Sequence, residues 1–139
     1  MDPFKLFGLI SATFTGATMG SYLLVILLYN ALLKHPTNLT DSLYIYRRLY
    51  RLNSVFCLLG GICAALINNR PAALMLAILA ASYVFNHAHI IKGLIKACDE
   101  NFCIVSTNSY RALSSLQNLL HFFQFVGAAY VIYLLAIST

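Results

Sequence analysis

Residues 71–91 read PAALMLAILAASYVFNHAHII and contain no aspartate, glutamate, lysine or arginine. Three further stretches share this property, Leu6–Leu33, Leu52–Asn69 and Ala112–Thr139. A bilayer core is about 30 Å thick, so a helix rising about 1.5 Å per residue needs about 20 mainly apolar residues to cross it. Each stretch reaches that length, or nearly reaches it once its neighbouring residues are added. The sequence therefore predicts an all-α protein with four transmembrane helices.

The composition also indicates a membrane protein that contacts the lipid bilayer. Hydrophobic residues make up 60% of the chain and charged residues 9%, and the mean hydropathy is +0.78. A soluble domain carries about 25% charged residues. The net charge of +5 does not indicate nucleic-acid binding, because the basic residues lie between the predicted spans. In that position lysine and arginine set orientation and meet anionic headgroups.

Turn signals divide residues 1–139 into four helices of a single integral membrane domain. Pro36 ends the first helix, because the residue before a proline avoids the helical region. The sequence Asn68-Asn69-Arg70-Pro71 predicts a tight turn, with Pro71 suited to the first position of the next helix. The predicted helices cover about 4–33, 41–67, 71–97 and 108–137. Short loops make consecutive helices neighbours, so the expected architecture is an up-down-up-down transmembrane bundle.

Basic residues are distributed unequally between the two ends of these helices. Lys5 and Arg70 lie at one end, and the other seven lie at the opposite end. Those seven are Lys34, Arg47, Arg48, Arg51, Lys92, Lys96 and Arg111. The positive-inside rule then places both termini on the outer side of a bacterial inner membrane or an organellar inner membrane.

Small residues repeat every fourth position in the first predicted helix, at Gly8, Ala12, Gly16 and Gly20. Residues four apart lie on the same helical face, so another backbone can approach closely there. We expect this stripe to pack against another helix. A glycine-rich ligand pocket is the alternative.

Polar side chains follow one face of the fourth predicted helix at spacings of four and three residues, and others lie in the second and third helices. A polar side chain that faces lipid is costly, so these groups are expected to face each other in a pocket open to the inward side. The candidate pocket residues are Asn86, His89, Gln117, His121, Gln124 and Arg51. A hydrogen-bond network without a ligand is the favoured reading of these residues, and a ligand or ion site and a catalytic site are the alternatives.

Two of these residues, His89 and His121, are the candidate axial pair for a b-type haem, because imidazoles from two neighbouring helices can ligate one iron. The cysteines predict no metal site. Cys98 and Cys103 either close a disulfide or remain reduced, since two ligands are too few for zinc.

Aromatic and basic residues cluster at the start of the second predicted helix. Tyr44, Arg47, Arg48 and Tyr50 are expected to contact lipid headgroups at the interface. Recognition of an anionic ligand at the inward mouth is the alternative.

The run Gly16-Ala17-Thr18-Met19-Gly20, followed by Leu33-Lys34-His35-Pro36, resembles the small four-helix membrane proteins of the anthrone-oxygenase-like family. The resemblance extends from the N-terminus to about Gly60. It implies a compact helical bundle with an inward polar pocket and oxygenase-like chemistry. It carries over no catalytic residue.

Three functions are compatible with these patterns. The favoured one is an accessory or scaffold subunit of a larger membrane complex, which packs against other membrane subunits or a second copy. The alternatives are a binding or transport module that uses the inward pocket, and a membrane oxidoreductase with haem or a quinone-like substrate. No motif names a reaction, so the sequence leaves open whether the chain is an enzyme.

Overall fold

The structure is a computed structural model that describes residues 3–32, 39–100 and 108–137. All regular secondary structure in these ranges is helical, which confirms the all-α prediction for them. The helices are α1 (Pro3–Leu32), α2 (Leu39–Leu66), α3 (Arg70–Phe85), α4 (Ile91–Glu100) and α5 (Asn108–Ala136). A π-helical turn, Asn86–Ile90, joins α3 directly to α4. The motif Leu33–Pro36, Cys103 and the side chain of Cys98 lie outside the described residues.

Three helical segments among the described residues are long and apolar enough to cross a membrane. They are Leu43–Leu66, Arg70–Ala97 and Arg111–Ala136, and the second runs through α3, the π turn and most of α4. These segments are consistent with an integral membrane protein. The fourth predicted span, in α1, is not among these three segments of the described residues.

Large apolar side chains cover much of the outer surface, and several polar side chains are buried beside the apolar core. Leu27, Leu74 and Ile137 are each more than 60% exposed, whereas Thr15 and Asn86 are fully buried. Lipid solvates an apolar side chain as well as another leucine does, so burial selects for polar and small groups that form contacts lipid cannot offer. The exposed apolar surface is therefore compatible with a lipid environment.

The backbones of α1, α2 and α3 approach closely where α2 carries two consecutive glycines. A Cβ added to Gly60 would lie 3.5 Å from the Cβ of Phe14, and one added to Gly61 would lie 3.4 Å from the Cβ of Leu76. The hydroxyl of Ser11 donates a hydrogen bond of 2.9 Å to the carbonyl oxygen of Gly60. An added Cβ would thus be in ordinary van der Waals contact at both positions, and the Ser11 hydroxyl links α1 directly to the backbone of α2.

The turn between α2 and α3 also ties these helices to α5. Asn68 adopts a left-handed conformation with φ of 63°, which asparagine tolerates better than most residues. Asn69 caps α3 by accepting a hydrogen bond of 3.2 Å from the backbone N–H of Ala72. Its amide nitrogen donates to the carbonyl oxygen of Leu134 at 3.1 Å. One asparagine therefore fixes both the start of α3 and the position of α5 beside it.

The π turn decides which way three polar side chains point. Its backbone closes with the N–H of Ile91 donating to the carbonyl oxygen of Asn86, and each residue of a π turn advances by a smaller angle than in an α-helix. The side chain of Asn86 is buried, that of His87 reaches α2, and that of His89 is exposed. Three positions within four residues of one helix thus place side chains in the interior, against a neighbouring helix and at the outer surface.

Candidate functional site

A buried group of three polar side chains joins α2 to α5 and is called here the tyrosine–histidine cluster: Tyr50, Gln117 and His121. The hydroxyl of Tyr50 is hydrogen-bonded to Nε2 of His121. The amide nitrogen of Gln117 donates to the same hydroxyl oxygen at 2.9 Å. The Tyr50 hydroxyl can accept from Gln117 and donate to Nε2 when the imidazole carries its proton on Nδ1. The three side chains therefore form a donor–acceptor chain through one hydroxyl.

Aromatic rings enclose this cluster on several sides. Tyr22 of α1 meets the His121 ring edge-on, with centroids 5.5 Å apart and an interplanar angle of 78°. Its ring also packs against Phe125 at 5.1 Å. On the other side, Tyr83 of α3 stacks on Tyr50 at 6.2 Å. The rings bring α1, α2, α3 and α5 together around His121.

A second polar group lies on α3 and α5 and contains unpaired atoms. The amide nitrogen of Gln124 donates to the hydroxyl of Ser82 at 3.0 Å, and this hydroxyl donates to the carbonyl oxygen of Leu79 at 2.8 Å. The amide oxygen of Gln124 and both amide atoms of Asn86 have no hydrogen-bond partner among the described residues. Asn86 follows Ser82 by one turn and is fully buried, so this amide is an unsatisfied polar group in the interior.

The structure brings together only part of the predicted pocket. Gln117 and His121 meet at Tyr50, and Gln124 and Asn86 are also buried. His89 and Arg51 are exposed and lie apart from this interior group. Counting residues along a regular α-helix predicts His89 on the face of Asn86. The π turn instead rotates His89 outward.

The arrangement does not fit a haem held by His89 and His121. An axial pair must approach one iron from opposite sides. Nε2 of His121 is already hydrogen-bonded to Tyr50 in the interior. The ring of His89 packs beside Phe85 on the exposed face, with centroids 5.1 Å apart. Among the described residues no group of three or more histidines, cysteines or acidic residues could hold a metal ion.

Tyr50 does not lie where the sequence predicted, since it is 1% exposed and cannot contact lipid headgroups. A pattern in α2 could have identified it, because seven residues at alternating spacings of three and four are all buried. These are Leu43, Tyr46, Tyr50, Asn53, Cys57, Gly60 and Ala64. Tyr44 and Arg48 are exposed and Arg47 is half-buried, so lipid contact stays a prediction for these three.

The small-residue stripe of α1 crosses from the interior to the outer surface. Gly8 is buried and Ala12 packs against the core. Gly16 and Gly20 are exposed, and a Cβ added to either would have nothing within 4 Å. Four residues of an α-helix turn through about 400°, so the stripe drifts by about 40° at each step. Its second half therefore packs against nothing in the described part of the chain.

Two surface grooves flank the interior. The first, called the basic groove, has a volume of about 500 Å³ and is lined by Tyr44, Arg47, Arg48, Arg51, Leu52 and His87. The second, called the apolar groove, has a volume of about 450 Å³ and runs between α2 and α3. Its lining includes Ala77, Ala81, Phe85 and His89. Sequence reasoning placed Arg51 in an interior pocket and did not identify His87 as its neighbour.

No protein-family model matches the chain, and no curated protein or solved structure is significantly similar to it. The resemblance to the anthrone-oxygenase-like family therefore stays a prediction. Function has to be inferred from the arrangement of the side chains.

Proposed function

We propose that the chain is an integral membrane scaffold that serves as an accessory subunit of a larger membrane complex. The observation that carries this proposal is the outward-facing half of the α1 stripe. Gly16 and Gly20 are exposed, with open space where their side chains would lie. A glycine in the lipid-facing surface of a helix provides little contact with lipid, whereas it allows a second helix to approach closely.

The neighbouring residues make this face suitable for helix packing. Thr13 and Ala17 are exposed on the same side of α1 as Gly16 and Gly20, at spacings of three and four residues. The hydroxyl of Thr13 donates to the carbonyl oxygen of Leu9 at 2.8 Å, so its polarity is satisfied within its own helix. The four residues form a shallow surface, called here the α1 face. Its occupant is a transmembrane helix of another subunit or of a second copy.

The interior supports a scaffold more than a reaction site. The tyrosine–histidine cluster links α2 to α5 through hydrogen bonds between its own side chains. A further contact links α2 to α1, where the amide nitrogen of Asn53 donates to the hydroxyl of Ser21 at 2.6 Å. These side chains hold helices together by bonding to each other. A catalytic or transport site would instead present polar groups toward a space that a substrate can enter.

Contacts between helices support the up-down-up-down bundle in the membrane. Ser11 bonds to Gly60 while Ser21 bonds to Asn53, so residue numbers rise along α1 as they fall along α2. The positive-inside rule then favours both termini on the outer side of a bacterial or organellar inner membrane. Reporter fusions at each loop test this orientation, because a reporter active only in the cytoplasm or matrix should work after residues 37 and 105.

Extraction from the native membrane in a mild detergent tests the scaffold function. The expected result is a complex in which the chain has a fixed stoichiometry to a second polypeptide or to another copy, measured by native mass spectrometry. A monodisperse single chain, both in detergent and after chemical cross-linking in intact membranes, would overturn the proposal.

The runner-up function is a binding module, and one observation favours it. The buried amide of Asn86 and the amide oxygen of Gln124 are unpaired in the described interior, and an ordered water or a small polar guest could satisfy them. Under the scaffold reading nothing occupies this place. The two functions therefore predict opposite effects of removing the amide.

Replacing Asn86 by leucine is expected to raise the free energy of unfolding by about 1 kcal/mol, because it removes polar atoms that are buried without partners. Asn53→Leu is the matched control, since Asn53 is also buried but donates to Ser21. This control is expected to lower stability by a similar amount. Both are measured by reversible unfolding in mixed micelles. Destabilisation by Asn86→Leu would favour the binding module.

A further inference from the structure

The basic groove gathers positive charge from one helix around a histidine of another. Arg47 and Arg51 are four residues apart on α2, and Arg48 lies three before Arg51, so the three side chains share one side of the helix. All three line the groove, together with His87 of the π turn. The structure thus places three guanidinium groups and an imidazole around one volume of about 500 Å³.

His87 is held in a defined orientation rather than left free at the surface. Its Nδ1 lies 3.0 Å from the carbonyl oxygen of Arg47. A carbonyl oxygen only accepts, so Nδ1 carries the proton in this contact. In this neutral form Nε2 carries no proton and only accepts, so the donors for an anion in the groove are the three guanidinium groups. The π turn contributes to this arrangement, because it directs His87 toward α2 while Asn86 remains in the interior.

A group of this composition matches a phosphate. Arginine presents a planar fork of N–H donors that pairs with two phosphate oxygens at once, and a basic pocket between membrane helices is a recurrent site for anionic headgroups. Arg47 and Arg51 follow the first residue of the predicted span, Leu43, by about one and two helical turns. Exposed Leu52 and Val55, which follow the arginines toward the middle of the span, provide apolar surface for attached acyl chains.

We propose that the basic groove binds the phosphate group of an anionic lipid headgroup. Lipid is the favoured source because polar lining residues adjoin exposed apolar ones on a helix that can cross the membrane. The site is independent of the α1 face and of the subunit role. Its failure therefore leaves the scaffold proposal intact, and the reverse also holds.

The test uses the full chain in phosphatidylcholine micelles to which phosphatidylglycerol or phosphatidic acid is added, with retained lipids counted by native mass spectrometry. We expect one anionic lipid per chain to be retained and to raise the melting temperature. Each arginine changed to glutamine should weaken retention by about fivefold, since one basic residue near an anionic surface contributes about 1 kcal/mol. Arg47→Gln/Arg51→Gln should therefore weaken it by about 25-fold.

Two further variants test whether retention depends on the position of the charge and on the planar fork of arginine. Arg70→Gln removes the same charge at the start of α3, away from the basic groove, and should leave retention unchanged. Arg51→Lys keeps the charge but loses the fork, so it should weaken binding less than Arg51→Gln.

Inorganic phosphate, added to pure phosphatidylcholine micelles at matched ionic strength, separates a soluble ligand from a lipid. Stabilisation by inorganic phosphate without retention of anionic lipid would overturn the lipid assignment and identify a soluble phosphate ligand. Equal lipid retention by the wild type, the double variant and Arg70→Gln would overturn the site itself.

Discussion

Replacing Tyr50 by phenylalanine should lower the free energy of unfolding by about 1–3 kcal/mol, although it removes a single oxygen atom. The lost hydroxyl is the partner of both Gln117 and His121. Without it, an amide N–H and an imidazole nitrogen remain unpaired in the enclosed interior. Hydrogen bonds in membrane proteins contribute about 0.6 kcal/mol on average. A loss above 1 kcal/mol would therefore reflect the two unpaired groups rather than one absent bond.

Tyr133→Phe is the matched control, because Tyr133 is 59% exposed on α5. It should change the free energy of unfolding by less than about 0.5 kcal/mol. A second variant, Gln117→Leu, separates the partners, since its effect should shrink when Tyr50 is already phenylalanine. Equal stability of Tyr50→Phe and Tyr133→Phe would contradict the tyrosine–histidine cluster as a structural clamp.

Replacing both Gly16 and Gly20 by leucine should weaken assembly with a partner while leaving the folding of the isolated protein nearly unchanged. An added Cβ has nothing within 4 Å at either position, so the substitutions should leave unfolding of the isolated protein nearly unchanged. Leucine keeps another helix from approaching closely. We expect the partner to be retained at least about tenfold more weakly, which corresponds to a loss of only about 1.4 kcal/mol.

Ala77→Leu/Ala81→Leu is the matched control for this prediction. Both alanines are exposed and have the same four-residue spacing, but they line the apolar groove between α2 and α3. This double variant should co-purify with the partner as the wild type does, measured by quantitative mass spectrometry of the purified complex. Loss of the partner from the control alone would move the assembly surface from α1 to the apolar groove.

The sequence predicts the helical class and the approximate helix ranges because both depend on local properties. Charge-free stretches, Pro71 and the two asparagines before it are signals that act over a few residues. In the structure, buried residues of α2 recur at spacings of three and four from Leu43 to Ala64, and Tyr50 is one of them. Its neighbours Arg47 and Arg48 instead predict a place in the headgroup belt, so residue type and helical position disagree at Tyr50.

The arrangement of the site was less predictable, because it depends on one extra residue in a helix turn. A π turn is stabilised by its surroundings and has no sequence signature that separates it from an α-helix. Counting from Asn86 along a regular helix puts His89 on the inner face, whereas the structure has it exposed beside Phe85. The same turn creates the contact of His87 with Arg47, which residue spacing along α3 could not reveal.

Photo-crosslinking in the native membrane tests the α1 face most directly. A photoreactive residue replaces Gly16 in one protein and Phe123 in another, because both positions are exposed but lie on different helices. Assembly through the α1 face predicts a protein adduct of one defined mass from position 16 and only lipid adducts from position 123. Lipid adducts alone from position 16, or the same protein adduct from both positions, would contradict assembly through α1.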